Sequence, residues 1–332
     1  MSKTIDVLTV GNAIMDVFAT CDDAFLDERS IGKGMMNLVT AEQSAALYAD
    51  IGRSENISGG SAANTAVGIA ALGGKAAFSG RVHDDGLGHA FCDDIAKASV
   101  TFNNAPHNGG SPTASSIILI TPDAIRSMNT YLGACIEFQP EDIIRDDAAA
   151  AKIIYLEGYL FDAPAGPDIF ARAVELAAEC DCKLALTLSD PWCAERHRDA
   201  LSKFVFDHVD MLFANEAEVS SLCETSVDAA ISSLTSHVDE LIVTRGENGA
   251  FAGAGSSHCE MPAQPFGDVV DTTGAGDLFA AGYLFGRTNG YSLQQSALIA
   301  SIAAGEVISH VGARPQMNLK ALVSNALNCF GA

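Results

Sequence analysis

The sequence predicts an α/β protein with a mostly parallel central sheet, helices on both faces and a small β-sheet lid. Three observations carry that expectation. From about residue 150 onward, short apolar runs alternate with stretches of helical length and period. Two earlier segments, near 15–50 and near 103–130, break the alternation with extended sequence and polar turns, and we read them as the lid. The 332 residues are 48% hydrophobic and 18% charged, enough to bury a sizeable core and unlike a disordered chain. We therefore take residues 1–332 as a single domain carrying the lid.

Taken in order, IDVLTVGN is a buried strand meeting a loop. SGGSAANTAVGIAALGG is a glycine turn, a small-residue helix and a glycine stop at Gly73 and Gly74. AAFSGRV is strand-like, and GLGHAFCDDIAKAS is an amphipathic helix. SSIILITPDAIRSMNTYLG holds β-branched strand stretches broken by a turn at Thr121 to Asp123. AKIIYLEGYL is a buried strand, followed by the helix GPDIFARAVELAAECD. KLALTLS is a strand, and DHVDMLFANEAEVSSLC is a strand running into a helix. ELIVTRGENGAFAGAG is a strand, a glycine loop and a second strand. DTTGAGDLFAAGYLFG opens a long helix, SLQQSALIASIAAGEVISHVG supplies another, and the tail from Pro315 a last one. There is no internal repeat and no low-complexity tract.

Asp and Glu number 42 against 19 Lys and Arg, a formal charge of −23. That field argues against nucleic acid and anionic membranes as partners. It would also repel ATP, unless backbone donors, a few Arg or Lys and a divalent cation offset it locally. The nine Cys form no CxxC pair, which speaks against zinc or iron–sulfur binding and for reduced thiols. The N-terminus lacks the apolar stretch of a signal peptide, and no run is long enough to cross a membrane. The expected location is the cytoplasm and the expected partner a small molecule; monomer and homodimer both stay open. No GxxxxGK[ST], no GxGxxG after the first strand, no GxSxG and no HExxH occurs. The eight His are dispersed without metal spacing. His310 reads as a packed or surface residue, and Trp192 has no readable role.

In open α/β sheets, ligands bind where strand ends feed helix N-termini. Four such junctions stand out, the last being the pair NEAE and VTRGENG. In DTTGAGD, Gly274, Ala275 and Gly276 can aim successive N–H groups at one point, and the following helix adds its positive end. Asp277, held ionised in the first turn, faces the same spot. An acid beside an anion nest makes sense if it accepts the proton of a hydroxyl that attacks phosphorus; alone, the stretch is equally readable as a capped helix start. In GNAIMD, Asn12 and Asp16 could bind a polyol, or Asp16 could cap a turn. In GGSAAN, Gly60 admits a close ligand and Asn64 offers a donor and an acceptor, or the stretch is a loose helix start. In NEAE, Asn215 and Glu218 share a helix face and could organise hydrated Mg²⁺ near phosphates, or simply be solvated. In VTRGENG, Thr244, Gly246 and Gly249 form a glycine loop that could cradle a nucleotide, or only turn the chain.

With GG…N early, NEAE and VTRG in the middle and DTTGAGD late, the four junctions together resemble the PfkB (ribokinase-like) family of carbohydrate and nucleoside kinases over nearly the whole chain. DTTGAGD followed by a small-residue helix is the specific signature. The resemblance implies a ribokinase-like three-layer α/β/α fold, ATP as phosphoryl donor, Mg²⁺, and in many members K⁺. It implies Asp277 as catalytic base and Gly274 to Gly276 as anion hole. Asn12, Asp16, Gly60 and Asn64 would contact sugar hydroxyls. Asn215 and Glu218 would position Mg²⁺ and phosphate, Glu218 through water, with Thr244, Gly246 and Gly249 along the nucleotide. Asp271 and Thr273, with the backbone near Gly312, would hold a monovalent cation. PTASSIILITPDAIRSMNTYLGA and GEVISHVGARP resemble the adenosine-kinase-like branch. That branch implies that Arg126 swings over the transferred phosphoryl group and that the acceptor is the 5′-hydroxyl of a ribonucleoside, adenosine first. The alternatives are a free-sugar kinase (ribose, fructose or a keto-sugar acid) and a catalytically silent sugar- or nucleotide-binding member.

Overall fold

The computed structural model describes residues 3–123 and 125–330. Ala124, in the predicted lid turn, and the terminal pairs 1–2 and 331–332 lie outside the described residues.

The large sheet has nine strands, in the order Ser257–Met261, Ala250–Ala254, Glu240–Thr244, Met211–Asn215, Lys183–Thr187, Ala151–Glu157, Ile5–Val10, Ala76–Ser79 and Thr101–Phe102. The strands from Glu240–Thr244 to Thr101–Phe102 are all parallel, and the hairpin of Ala250–Ala254 and Ser257–Met261 adds an antiparallel edge. Parallel strands are covered on both faces, so they read as continuous apolar runs. Ile5–Val10 shows how one run serves two layers: Val7 enters the core that holds Tyr155, Tyr283 and Ile299, whereas Leu8 and Val10 enter the core that holds Leu156, Phe170 and Leu212. The predicted three-layer α/β/α arrangement is present.

The lid is a five-stranded mixed sheet, in the order Met36–Leu38, Arg126–Tyr131, Ala114–Ile120, Ile14–Thr20 and Glu55–Gly59. Its outline differs from the expected one. It reaches Gly59, past the expected limit at 50, while residues 103–113 form no strand. The first segment is not extended throughout. It contains the helices Asp23–Glu28 and Ala41–Asp50, and Thr40 and Gln43 close a reciprocal capping box on the second. The helices Pro191–Arg196, Arg198–His208 and Val227–Thr235 were likewise not anticipated.

Two helices place the site. Ser61–Ala71 and Ala275–Thr288 pack at backbone distance because position 68 is glycine, where a Cβ would stand 2.6 Å from the Cβ of Ala281. Among the described residues no helix is long and apolar enough to cross a membrane, and all nine cysteines are free thiols.

Thr40→Ala removes the side-chain half of the capping box, at a cost of about 1 kcal/mol. We expect faster amide hydrogen exchange over 41–50 with exchange in the central sheet unchanged; unaltered exchange in that helix would contradict the capping assignment.

Candidate active site

The helix Ala275–Thr288 begins at Gly274, whose left-handed backbone (φ 78°) turns the chain into the first turn. Asp277 stands in that turn with both carboxylate oxygens fixed from the neighbouring helix. Ser61 Oγ donates to Oδ1 at 2.6 Å and Asn64 Nδ2 to Oδ2 at 3.0 Å. Ser61 and Asn64 are three residues apart, so one helix face presents both. Burial pushes the Asp277 carboxyl above its ordinary value, while the Ser61 and Asn64 bonds and the charge of Arg314 pull it back. Among these influences desolvation is the largest.

On one side of Asp277 lies a cleft of about 880 Å³ between lid and main body, lined by Asp16, Ser58, Asn64 and Arg314 and by apolar Phe18 and Ile120. Asp16 is raised to about 7, chiefly by burial, with Arg314 and Arg126 lowering it and Asp277 raising it. The double glycine of GGSAAN has a use other than ligand approach. A Cβ on Gly59 would lie 2.3 Å from Asp16 Oδ2, and one on Gly60 (φ 103°) would lie 2.0 Å from the Asn12 carbonyl oxygen. The glycines thus admit the lid strand and the loop after the first strand. Asn12 donates its backbone N–H to Glu157 Oε1 at 2.7 Å, and Ala62 donates its own to Oε2 at 2.9 Å.

On the other side lie the residues expected near the nucleotide. A small cavity of about 80 Å³ is lined by Ser61, Thr187, Glu218, Thr244, Gly276 and Asp277. It neighbours a cavity of about 510 Å³ lined by Thr244, Gly246, Gly249, Ala275 and Gly276 and by apolar Val269 and Ile308. Asn215 and Glu218 do not share an exposed helix face. Asn215 caps the helix Glu216–Cys223, accepting the Glu218 N–H at 2.9 Å, and Glu218 accepts the Asn215 N–H at 2.9 Å and its Nδ2 at 2.6 Å. Glu218 is buried, which pushes its carboxyl to about 7. Two carboxyls, Glu218 and Asp277, thus face one small cavity of mixed polar and apolar lining, and their oxygens are of the kind that fits a hydrated divalent cation. No cluster of three His, Cys, Asp or Glu able to cage a metal occurs among the described residues.

Asp271 and Thr273 do not fit a monovalent cation in this arrangement. Asp271 Oδ2 accepts from Arg126 Nη1 at 2.5 Å and from the Gly312 N–H at 2.8 Å. Its Oδ1 accepts from the Thr273 N–H at 3.1 Å and Oγ1 at 2.7 Å. Burial works to raise this carboxyl, but the Gly312 and Thr273 donors and Arg126 hold it below its ordinary value. The positive charge beside it is already a guanidinium. Arg126 accordingly rests on Asp271, with Phe18 under its guanidinium at 5.8 Å, and not over the anion nest.

Sequence reasoning missed Ser61, Glu157 and Arg314. Ser61 lies inside the quoted GGSAAN, one helical turn before Asn64, and that spacing was the available signal. Glu157 closes an apolar strand with an acid, an unusual ending for a fully buried run. Arg314 donates to the Ser58 carbonyl and, at 2.8 Å, to Ser58 Oγ, contacts that the sequence could not reveal.

Comparison with known proteins bears on the family and the fold. Residues 29–320 match the pfkB family carbohydrate kinase profile. The crystal structure of adenosine kinase from Sinorhizobium meliloti is 44% identical, covers 97% of this chain and 99% of that one, and superposes with a TM-score of 0.87. A probable sugar kinase from Rhizobium etli CFN 42 is 42% identical, covers 98% of this chain and 99% of that one, and gives a TM-score of 0.88. Adenosine kinase of Saccharomyces cerevisiae is 28% identical over 93% of this chain and 96% of its own length. With the family match spanning most of the chain and the α/β/α core and lid both present, this chain belongs to the pfkB family of carbohydrate kinases.

Proposed function

We propose that this kinase transfers the γ-phosphoryl group of ATP to the 5′-hydroxyl of a ribonucleoside, adenosine before others, with Asp277 as general base. The observation that carries the reading is the position of Asp277 at the boundary of two spaces. Asn64, bonded to its Oδ2, lines the lid cleft, while Asp277 itself lines the small cavity beside the larger slot. An acceptor in the cleft would present a hydroxyl to a carboxylate whose orientation is fixed at both oxygens. Asp277 takes the hydroxyl proton as the oxygen attacks phosphorus, and its raised pKa makes it a stronger base than an exposed aspartate. The N–H groups from Gly274 to Gly276 and the positive helix end lie where charge accumulates on the phosphoryl group. When bound, Mg²⁺ would be held through water near Glu218 and would offset charge on the phosphates. Arg126 reaches that region only after leaving Asp271.

The cleft favours a nucleoside through its apolar walls. Phe18, Ile57, Ile120 and Pro315 offer surface to a heterocyclic base that a free sugar would leave unused. The second reading, a free-sugar kinase, draws on the polar residues of the same cleft, Arg53 and Arg314 among them. A sugar acid is the weakest case within it, because Arg314 already faces the three carboxyls of Asp16, Asp94 and Asp277. An ADP-release assay across adenosine, guanosine, inosine, cytidine, ribose, fructose and a keto-sugar acid tests the assignment. Adenosine should give the highest kcat/KM, and a free sugar ahead of every nucleoside would transfer it to the second reading.

Asp277→Asn should lower kcat by about 10²–10⁴-fold, the contribution of a positioned base, with melting temperature and ATP binding retained. Turnover near the wild-type level would remove Asp277 from that role.

Glu157 gives a pH-dependent test of the scaffold. Burial raises it from the usual 4.5 to about 7, against the Asn12 and Ala62 N–H bonds. Its neutral form therefore favours the fold, a contribution complete below about pH 4.5 and lost as pH rises through about 7. Glu157→Gln cannot titrate, so its stability relative to wild type should improve between about pH 5 and about pH 8. Melting curves across that range check the sign, and a relative stability that falls with pH would contradict it.

A further inference from the structure

Arg314 is built into the lid cleft with more support than a surface arginine needs. Asp94, on the helix Gly86–Lys97, accepts the Ser58 N–H at 2.9 Å and the Ser58 hydroxyl at 2.6 Å. Ser58 in turn offers its carbonyl and Oγ to Arg314 Nη2. The relay Asp94–Ser58–Arg314 thus runs from a main-body helix through a lid strand to the loop after Leu293–Val307, and fixes one side of the guanidinium. The other side is not satisfied. Nη1 is enclosed and has no hydrogen-bond partner in the structure. An enclosed donor left unpaired carries a desolvation penalty that a ligand acceptor would relieve.

The surroundings indicate what kind of acceptor. Asp16, Asp94 and Asp277 all attract Arg314 electrostatically. Yet among the described residues no nitrogen of Arg314 closes on Asp16 or Asp277 within the 4.0 Å of an ion pair. Asp16 pairs through its backbone within the lid sheet, whereas its carboxylate has no hydrogen-bond partner among the described residues. A cation and two carboxyls therefore face one cleft without meeting. That leaves room between them for a group that accepts from one and donates to the others, and a sugar hydroxyl does both. The other ionisable groups around Asp277 are Asp16, Tyr155, Glu157 and, across the small cavity, Glu218, none of them cationic. Arg126 acts on Asp16 from the lid and is engaged with Asp271.

We propose that Arg314 is a substrate-binding residue of this kinase, donating to a hydroxyl of the uncharged sugar moiety that Asp16 holds from the other side, and that its charge tunes the base Asp277. The inference rests on the proposed acceptor cleft and adds to it a residue and a substrate chemistry. Removing the guanidinium removes a donor to the acceptor and the one cation acting on Asp277. It therefore weakens acceptor binding and leaves Asp277 harder to ionise.

The test uses the full chain with the acceptor that the wild type turns over best, and compares Arg314→Gln and Arg314→Lys. For Arg314→Gln, the acceptor KM should rise at least about tenfold, as for a lost hydrogen bond to a charged group. The ATP KM should stay within about twofold, since the nucleotide slot lies across Asp277. The acidic limb of the kcat profile should move to higher pH. For Arg314→Lys, the limb should return toward the wild-type position while the acceptor KM stays high, because an ammonium restores the charge but not the planar fork. A folded Arg314→Gln with acceptor KM and limb both unmoved would overturn the inference while leaving the kinase assignment standing. If Arg314→Gln does not fold, the Lys variant decides: an unchanged acceptor KM overturns the inference and a raised one supports it. A wild type that phosphorylates none of the acceptors removes the proposed function and this inference together.

Discussion

Ser61 and Asn64 reach Asp277 only because two helices meet without side chains between them. Gly68 allows that approach, and the small residues of GGSAANTAVGIAALGG allow it along the whole contact. From this one contact the rest of the site follows. It brings the nest at Gly274 to Gly276 beside the lid strand that ends at Gly59. It also puts Glu157 below both, where it collects the N–H groups of Asn12 and Ala62. A bulky side chain at position 68 would push Ser61–Ala71 off Ala275–Thr288 and take Ser61 and Asn64 away from Asp277.

Buried carboxyls are the second theme. Asp16, Glu157 and Glu218 are each pushed to about 7, and Asp277 is raised as well. In a chain of net charge −23 these carboxyls lie in buried settings where desolvation opposes their ionisation. The few cations at the site are correspondingly placed one at a time: Arg126 on Asp271, Arg314 on Ser58. Both guanidinium groups keep a nitrogen without a partner.

Much of the fold was legible because it is written in local pattern. Alternating apolar runs gave the parallel sheet, and the glycines before an apolar run marked the start of Ala275–Thr288. The helix Ala41–Asp50 was legible too, through Thr40 and Gln43 at capping-box spacing, but its setting among strands masked it. What could not be read was any pairing across long sequence separation. One miss was local: Asn215 and Glu218 had the right spacing for a helix face, yet the helix began one residue later than that reading required, which turned the pair into a cap. Asp271 offered oxygens suited to a cation, and a lid arginine far away in sequence supplied the charge instead. Arg314 carried no local mark, because its partners Ser58 and Asp94 come from two other elements.

The strand order also bears on how the chain comes together. Ile5–Val10 lies between Ala76–Ser79 and Ala151–Glu157, so its pairing is complete only when a strand far along the chain reaches it. Contacts of such separation close slowly, because the chain between them must be ordered first. The helix that bears Asp277 and the loop that bears Arg314 dock in the same way on residues far from them in sequence, Ser61 and Ser58. The cleft is therefore assembled from distant parts of the chain, and its polar contacts close only as the sheet that carries them does.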